Sequence, residues 1–449
     1  MATIDALVEA AEASVSDAIL NDHYDGTQQL DAVGISIPPR VRALEVVVNW
    51  PRLVVDTMAE VLSVIGFESA ALDDEAIQQL WDTWQACNMD TLSHTIHVEA
   101  LTQGEAFAVV GLREDGSIRT TAHTKDGITV RQTSDGEILE AMVVFEEDTE
   151  DGSRVKKAVH YTPETTATYQ QVAGMWGQVS SAPGIGIVPV IPFRNVERIT
   201  DVNGRSDMQA AIPFGNAASR SFTLLQLATE ILTMPQRYIA GGDQSKFKTA
   251  DGEQKTLAEI YLGSIMFAPS SDAKFGQFAG ADLSQIIATI KASAGQLSAF
   301  YGIPLSMLGV SSEGNPESAE AMRVAKERML TRGERKQDAF GDGWKRWALL
   351  VLALSGRQVS PRERINSVWA DIAVPSAAAK TASLLQAHAQ GVVSARTARD
   401  GLPLTPEQRA REDKAEGAAV VEGAADEIID PGTFVDPTPD AEVADRDEV

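Results

Sequence analysis

The spacing of apolar residues divides the chain into stretches of helical and of strand character. Near the N-terminus, Pro51 opens a segment with Val54, Met58, Val61, Leu62 and Ile65 at helical spacing. Asp73 stands as N-cap to another, with Ile77, Leu80, Trp81 and Trp84 on one stripe. Residues 1 to 101 therefore read as helical, and Cys87, which continues the second stripe, reads as core. From 105 the period changes to two. Asp-Gly pairs at 115, 126, 135 and 151 separate runs such as "ITVRQ" and "EAMVVFEE", and predict a β-meander that reaches "IVPVIPFRN" at 187 to 195.

Helical spacing returns in "SRSFTLLQLATEIL" at 219 to 232, followed by about fifty residues of short strands and turns around one small helix, "GEQKTLAEIYL". A second helix then carries Leu283, Ile286, Ile287, Ile290, Ala294 and Leu297 on one stripe and stops at "YGIP", where Gly302 and Pro304 cannot continue it. The polar stretch "GVSSEGNPESAEA", 309 to 321, comes next; its second half is a helix start with Asn315 as N-cap and Pro316 at the first helical position. Residues 316 to 355 read as one or two helices, interrupted near Gly333 and at "GDG", 341 to 343. Trp344, Trp347, Leu350, Val351 and Leu354 pack on one side. A last helical region spans "SAAAKTASLLQAHAQGVVSARTARDGL".

At 449 residues, 44% hydrophobic and 23% charged, the chain has the make-up of a soluble globular protein of two or three domains. A net charge of -26 argues against a free-standing nucleic-acid binder, which needs clustered Lys and Arg to neutralise phosphates. The one basic stretch is 316 to 365, with eleven Lys or Arg against seven Asp or Glu. The tail from 412 to 449 holds thirteen acids and two bases and is expected to be disordered. A single cysteine makes no internal disulfide and favours a cytosolic reading. The N-terminus shows no signal peptide, and "WALLVLAL" at 347 to 354 is far shorter than the ~20 residues of a membrane span, so no membrane insertion is expected.

Catalytic chemistry is nearly absent from the pattern. There is no phosphate-cradling loop, "GIGIVP" at 184 to 189 lacks a third glycine and a following helix, and no acidic loop has calcium-site spacing. The only metal-like pair is His94 and His97, three apart on a predicted helix. Without a third ligand at useful spacing, such a pair reads as partly exposed surface or interface. Each Asp-Gly acid reads as serving its turn, and each Trp as core.

Four stretches together resemble the portal proteins of tailed double-stranded-DNA bacteriophages: "NWPRLVVDTMAEVL", "VPVIPFRN" followed by "GRSDM", "TMPQRYIAGG" at 233 to 242, and "YGIPLSMLGVSSEGNPESAEAMRVAKERM". The order and spacing of these stretches agree with the family across nearly the whole folded chain, while Pro213 and Gly215 leave open where the first long helix begins. The resemblance implies an α+β subunit. It would have a wing at 1–204, a first stem helix region at 205–233, a clip at 234–280 and a second stem helix at 281–302. A tunnel loop region at 303–315, a long kinked helix and wing return at 316–370, a helical crown at 371–416 and a disordered acidic tail at 417–449 would complete it.

On this resemblance the chain is a non-enzymatic portal without cofactor or metal, a ring of twelve at one capsid vertex. DNA would pass through it without sequence specificity, packaged by a separate ATP-driven terminase and later ejected. Val310, Ser311, Ser312, Glu313, Gly314 and Asn315 would form the tunnel loop facing DNA, and Leu283, Ile286, Ile287 and Ile290 the stem contact between subunits. Gly241, Asp243, Lys246, Lys248 and Lys255 in the clip would meet the terminase large subunit or the head-tail adaptor. Major capsid and scaffolding proteins are further implied partners, with the virion and, during assembly, the host cytoplasm as locations. An acidic channel lining is expected to hold DNA off the wall, although plain solubility also accounts for net acidity. The readings of another class are a metal-dependent nuclease or hydrolase built on His94 and His97, and a different structural adaptor of a virion.

Overall fold

The N-terminal third is laid down by short capped helices around one aromatic core. The computed structural model describes residues 4–30, 45–113, 115–134, 136–148, 152–233, 237–240, 274–277, 283–310, 319–357, 364–372, 377–402, 411–412 and 415. Helices α1 (Ile4–Glu12), α2 (Ala18–Asp25) and α3 (Trp50–Ala59) come first, the last begun by an Asn49 cap with Pro51 in its first turn. The helical spacing predicted through Ile65 does not hold. The chain turns after Ala59 into strand β1 (Val64–Glu68), and Ile65 faces solvent there while Phe67 enters the core. A strand period of two and a helix period of three to four coincide over so short a run, which is why the pattern misled. Asp73 caps α4 (Asp74–Ala86) as predicted, accepting from the Ala76 amide at 2.8 Å, and α5 (Met89–Gln103) follows.

Eight strands succeed these: β2 (Glu105–Leu112), β3 (Ile118–His123), β4 (Ile128–Gln132), β5 (Ile138–Asp148), β6 (Arg154–Tyr161), β7 (Thr165–Val172), β8 (Met175–Pro183) and β9 (Val190–Arg194). Gly116, Gly127, Gly136 and Gly152 of the Asp-Gly pairs all have positive φ, the geometry these turns require of a residue without Cβ. The strands do not make one meander. β4 to β8 form a five-stranded antiparallel sheet in chain order, whereas β9 crosses back to pair with β2 in a three-stranded sheet ordered β3-β2-β9. Turn signals mark where strands end but not which edge the last one returns to.

Helix α6 (Ile212–Thr233), the short antiparallel pair β10 (Arg237–Ala240) and β11 (Lys274–Gln277), and helix α7 (Ser284–Tyr301) come next. A 3-10 turn at Leu305–Leu308 precedes α8 (Ala319–Leu354), and β12 (Asn366–Trp369) pairs with β1. The interruptions predicted in α8 are absent: 36 residues run as one helix. Its glycines serve packing. A Cβ on Gly333 would sit 2.8 Å from Ile372 Cδ1, and one on Gly343 would press into the Phe193 ring. Close approach at Gly343 lets Trp344 and Trp347 reach the core, where Trp84, Phe67 and Trp347 pack ring to ring at centroid distances of 5.4 to 5.7 Å. Cys87 belongs to the same core.

The division of the chain into compact units falls between Met1–Ile372 and Ala373–Val449. The described part of the second unit holds α9 (Ala377–Ala389) and α10 (Ala395–Asp400), the latter capped by Ser394. The acidic tail from 417 lies outside the described residues.

Candidate functional site

The helix pair α6 and α7 packs along its length through small and branched residues. Ala218 of α6 shares a core with Ile290, Ala294, Leu297 and Tyr301 of α7, joined by Trp50 and Val54 of α3. Pro213 sits in the first turn of α6, where its missing N–H costs nothing, and Gly215 lies where a Cβ would come 3.0 Å from Pro51 Cδ. The extended residues before α3 are fastened to α6 by side chains: the Val48 amide donates to Ser219 Oγ at 2.8 Å and the Val46 amide to Thr223 Oγ1 at 3.1 Å.

Of the predicted contact residues, Ile290 is buried in this core, Ile286 half-buried against it and Leu283 half-buried at the helix entry, whereas Ile287 is 42% exposed on the other face. Leu224 and Phe300 are exposed as well. The pair is almost free of charge, since only Arg220 and Glu230 in α6 and Lys291 in α7 are ionic. Several hydroxyls on it donate to the carbonyl four residues back: Ser221 to Ala217, Thr229 to Leu225, Thr289 to Gln285 and Ser293 to Thr289. The acidity of the chain is therefore not carried by these helices.

At the root of the pair, chain segments far apart in sequence meet in one charged cluster. Lys336 of α8 is buried, with Nζ 3.0 Å from Asp207 Oδ1 and 3.1 Å from Glu197 Oε1, and it also donates to Asn195 Oδ1. Arg332, one helical turn earlier, pairs with Asp207 Oδ2 at 3.3 Å and lies over the Tyr301 ring, 4.8 Å from its centroid. The Tyr301 hydroxyl donates to the Asp207 carbonyl at 2.6 Å. Burial, with the Asp207 carboxylate near, holds the phenol above its ordinary pKa. Asn195 completes the cluster by donating to Asp207 Oδ1 and to the Arg205 carbonyl.

Beyond Tyr301 the chain turns at Gly302, φ 75°, whose Cα lies so close to α8 that a Cβ would be 2.7 Å from the Met329 nitrogen. Arg328 donates to the Ala299 carbonyl at 2.8 Å. Val310, the first of the predicted tunnel-loop residues, is half-buried against the helix-pair core, and its amide donates to the Leu305 carbonyl at 3.2 Å. Ser311, Ser312, Glu313, Gly314 and Asn315 lie outside the described residues, as do Gly241, Asp243, Lys246, Lys248 and Lys255.

The two histidines do not form a site. His94 faces solvent, while His97 is fully buried, not partly exposed as the sequence suggested. Its ring stacks on Phe340, Nε2 accepts from Trp344 Nε1 at 3.0 Å, and Nδ1 lies 3.1 Å from the Leu62 carbonyl. Both nitrogens are occupied, so the ring has no lone pair for a metal. Among the described residues no group of three or more His, Cys, Asp or Glu could hold an ion.

The charged cluster escaped the sequence reading. Asn195, Asp207 and Tyr301 stood within the quoted family stretches, but Lys336 and Arg332 looked like the solvated bases of any mixed-charge helix.

Comparison with known proteins bears on the whole chain. Residues 12–423 match the family model described as phage portal protein, SPP1 Gp6-like. The chain is 28% identical over 424 residues to the portal protein of Mycobacterium phage L5, covering 90% of this chain and 85% of that protein. It is 29% identical over 435 residues to the portal protein of Mycobacterium phage D29, covering 93% and 88%. Among solved structures, a chain from the neck of an empty GTA particle computed with C6 symmetry aligns at TM-score 0.48 and 16% identity, over 89% of this chain and 98% of that one. A chain from the neck of the native GTA particle computed with C12 symmetry aligns at 0.46 and 16%, over 89% and 100%.

Proposed function

The chain belongs to the SPP1 Gp6-like phage portal protein family, and we propose that twelve copies form a ring at one capsid vertex through which the genome is packaged and ejected. The observation that supports this reading most is the helix pair α6 and α7. A wall that lets a polyanion slide should offer it few cations and few spare hydrogen-bond donors. With only Arg220 and Lys291 against Glu230 in the 22 residues of α6 and 18 of α7, and several hydroxyl protons turned to the helices' own carbonyls, these surfaces come close to that requirement. The stretch of wall that α6 and α7 supply is in this reading close to neutral, and the acidity expected of the lining is not carried by these two helices.

In this reading the subunit hydrolyses nothing; ATP hydrolysis belongs to a terminase. The segment holding Gly241, Asp243, Lys246, Lys248 and Lys255 meets the terminase large subunit and later the head-tail adaptor, and capsid and scaffolding proteins surround the ring. The protein acts in the virion and, before that, in the host cytoplasm. Exposed Ile287 and Leu224 are where α6 and α7 of neighbouring subunits touch.

Particle images of the purified protein test the reading: a ring with a central hole wide enough for duplex DNA is expected, and a monomer at all concentrations would overturn it. Ile287→Asp places a charge on a residue that a single subunit leaves exposed, so its subunits should fold normally and fail to form stable rings. Rings as stable as the parent's would remove α7 from the contact.

A further inference from the structure

Two exposed apolar surfaces, at opposite edges of the five-stranded sheet, are left uncovered by the described residues. The first is the β7–β8 hairpin. Val172, Met175 and Val179 on it are 59% to 74% exposed, and no charged residue occurs from Thr165 to Pro183 in a chain that is 23% charged. β8 is the last strand of the sheet, but its edge is guarded against backbone pairing by a bulge opposite Thr168/Tyr169 and by the terminal Pro183. What the hairpin offers is side chains.

The second surface lies at the other edge. The segment after α1 is tied to the turn that enters β4, for the Gly127 amide donates to the Ser14 carbonyl at 3.1 Å and Ser16 Oγ to Asp126 Oδ2 at 2.9 Å. Val15, Asp17 and Leu20 of this segment line a cavity of about 320 Å³ together with Lys125, Asn203, Gly204 and Arg205. Around it Val15, Ile19 and Val202 are 64% to 73% exposed, and Ile199, on the same loop as Val202, is wholly exposed. That loop is held at its base, where the Asn195 amide donates to Gly104 and the Arg205 amide to Asn195.

Four strand spacings, about 19 Å, separate the edges. The antiparallel register places the start of β4, the end of β5, the start of β6 and the β7–β8 turn at one end of the sheet, so the hairpin turn and the segment tied to the turn entering β4 lie at the same end.

We propose that the β7–β8 hairpin of one copy docks on the Val15, Ile19, Ile199 and Val202 surface of the next. Two different patches on opposite sides of one subunit make a head-to-tail contact, the kind that closes into a ring. Charge selects a second copy as the occupant. Chains of net charge -26 repel each other everywhere except where charge is missing or reversed. The hairpin is uncharged, and on and beside the receiving surface the acids Asp17, Asp126 and Asp201 are balanced by Lys125, Arg198 and Arg205, so neither face adds to the repulsion. The proposal rests on the ring reading above, to which it adds a second contact remote from α6 and α7.

The test is a double variant, Met175→Cys with Ile199→Cys, treated as assembled protein with a short bismaleimide. Native Cys87 is buried and stays out of the reaction. The expected result is a ladder of covalent oligomers reaching the full ring on a denaturing gel, while each single variant gives nothing beyond dimer. Within one subunit the two positions are too far apart to join. Rings that form normally but yield no ladder beyond the single variants overturn this contact and leave the ring reading standing. Absence of rings in the unmodified protein overturns both. As a second arm, Val172→Asp with Met175→Asp leaves exposed positions exposed in the monomer, so monomer unfolding should be unchanged and ring formation lost. Full ring formation by this variant also counts against the contact.

Discussion

Lys336 Nζ lies 3.0 Å from Asp207 Oδ1, with the lysine side chain 4% exposed and the aspartate 3%. Around this pair, Arg332 and Glu197 bring the balance to two cations and two acids, and Tyr301 closes the cluster from the end of α7. Three elements are thereby fixed at one point: the long helix α8, the end of α7, and the segment that leads into α6. A buried charge is tolerated only while paired, so the cluster specifies this junction more than it stabilises it.

Removing one partner should therefore be costly. Lys336→Met or Asp207→Asn should each lower stability by up to about 3 to 5 kcal/mol in urea denaturation, because each leaves the buried cluster with one charge in excess, Arg332 and Glu197 remaining to offset part of it. The double variant should cost clearly less than the sum of the two. Strict additivity would show that the pair is not coupled.

A different buried group makes stability depend on pH. Burial, with the nearby His94 adding to it, pushes His97 from 6.5 down to about 3 in the fold, against the opposing hydrogen bond to Leu62. The unfolded chain takes up this proton as pH falls through 6.5 and the folded chain does not until about 3. Stability is therefore full above 6.5 and is lost between those values, by up to about 1.4 kcal/mol per pH unit. His97→Gln should be less stable at pH 7, having lost the stack on Phe340, yet show a shallower loss on acidification. Equal acid slopes for variant and parent would refute the assignment.

How much of this was legible in the sequence depended on the range of the interaction. Caps and turns are local, so Asp73, the Asp-Gly glycines and Gly302 could be read directly. The return of β9 to β2, the close approach that Gly343 allows and the burial of His97 are decided by partners distant in sequence, as the pairs Val109–Val190, Gly343–Phe193 and His97–Trp344 show. The four quoted stretches, from "NWPRLVVDTMAEVL" to "YGIPLSMLGVSSEGNPESAEAMRVAKERM", carried the resemblance, whereas the cluster around Lys336 shows itself only in the fold, because a buried lysine and a solvated one look alike in a sequence.

The glycines of the long helices should separate by what faces them. Gly295 in α7 has nothing within 4 Å of a built Cβ, so Gly295→Ala should raise subunit stability by about 1 kcal/mol through helix propensity alone. Gly343→Ala gains the same propensity but drives a methyl into the Phe193 ring, and a net loss of about 1 to 3 kcal/mol is expected. Thermal unfolding of the two variants checks the signs. A stabilising Gly343→Ala would mean that the helix does not need this approach.

The polar segment that follows Val310 gives the most direct test of passage. Val310 is anchored on the helix-pair core and α8 is under way by Ala319, so the chain is fixed on both sides of 311–318. Ser311, Ser312, Glu313 and Gly314 carry no apolar side chain, so shortening the segment there is expected to cost the subunit little stability. The helix start expected from the sequence behind them is another matter, since losing an N-cap such as the one assigned to Asn315 costs about 1 kcal/mol. Deleting Ser311 to Gly314 with Asn315 kept should thus give a folded subunit that forms rings and enters procapsids, but particles that fail to package or retain a full genome. DNA content per particle is the measurement. A normal content would end the tunnel-loop role for this segment, and loss of the ring itself would show that these four residues serve the fold.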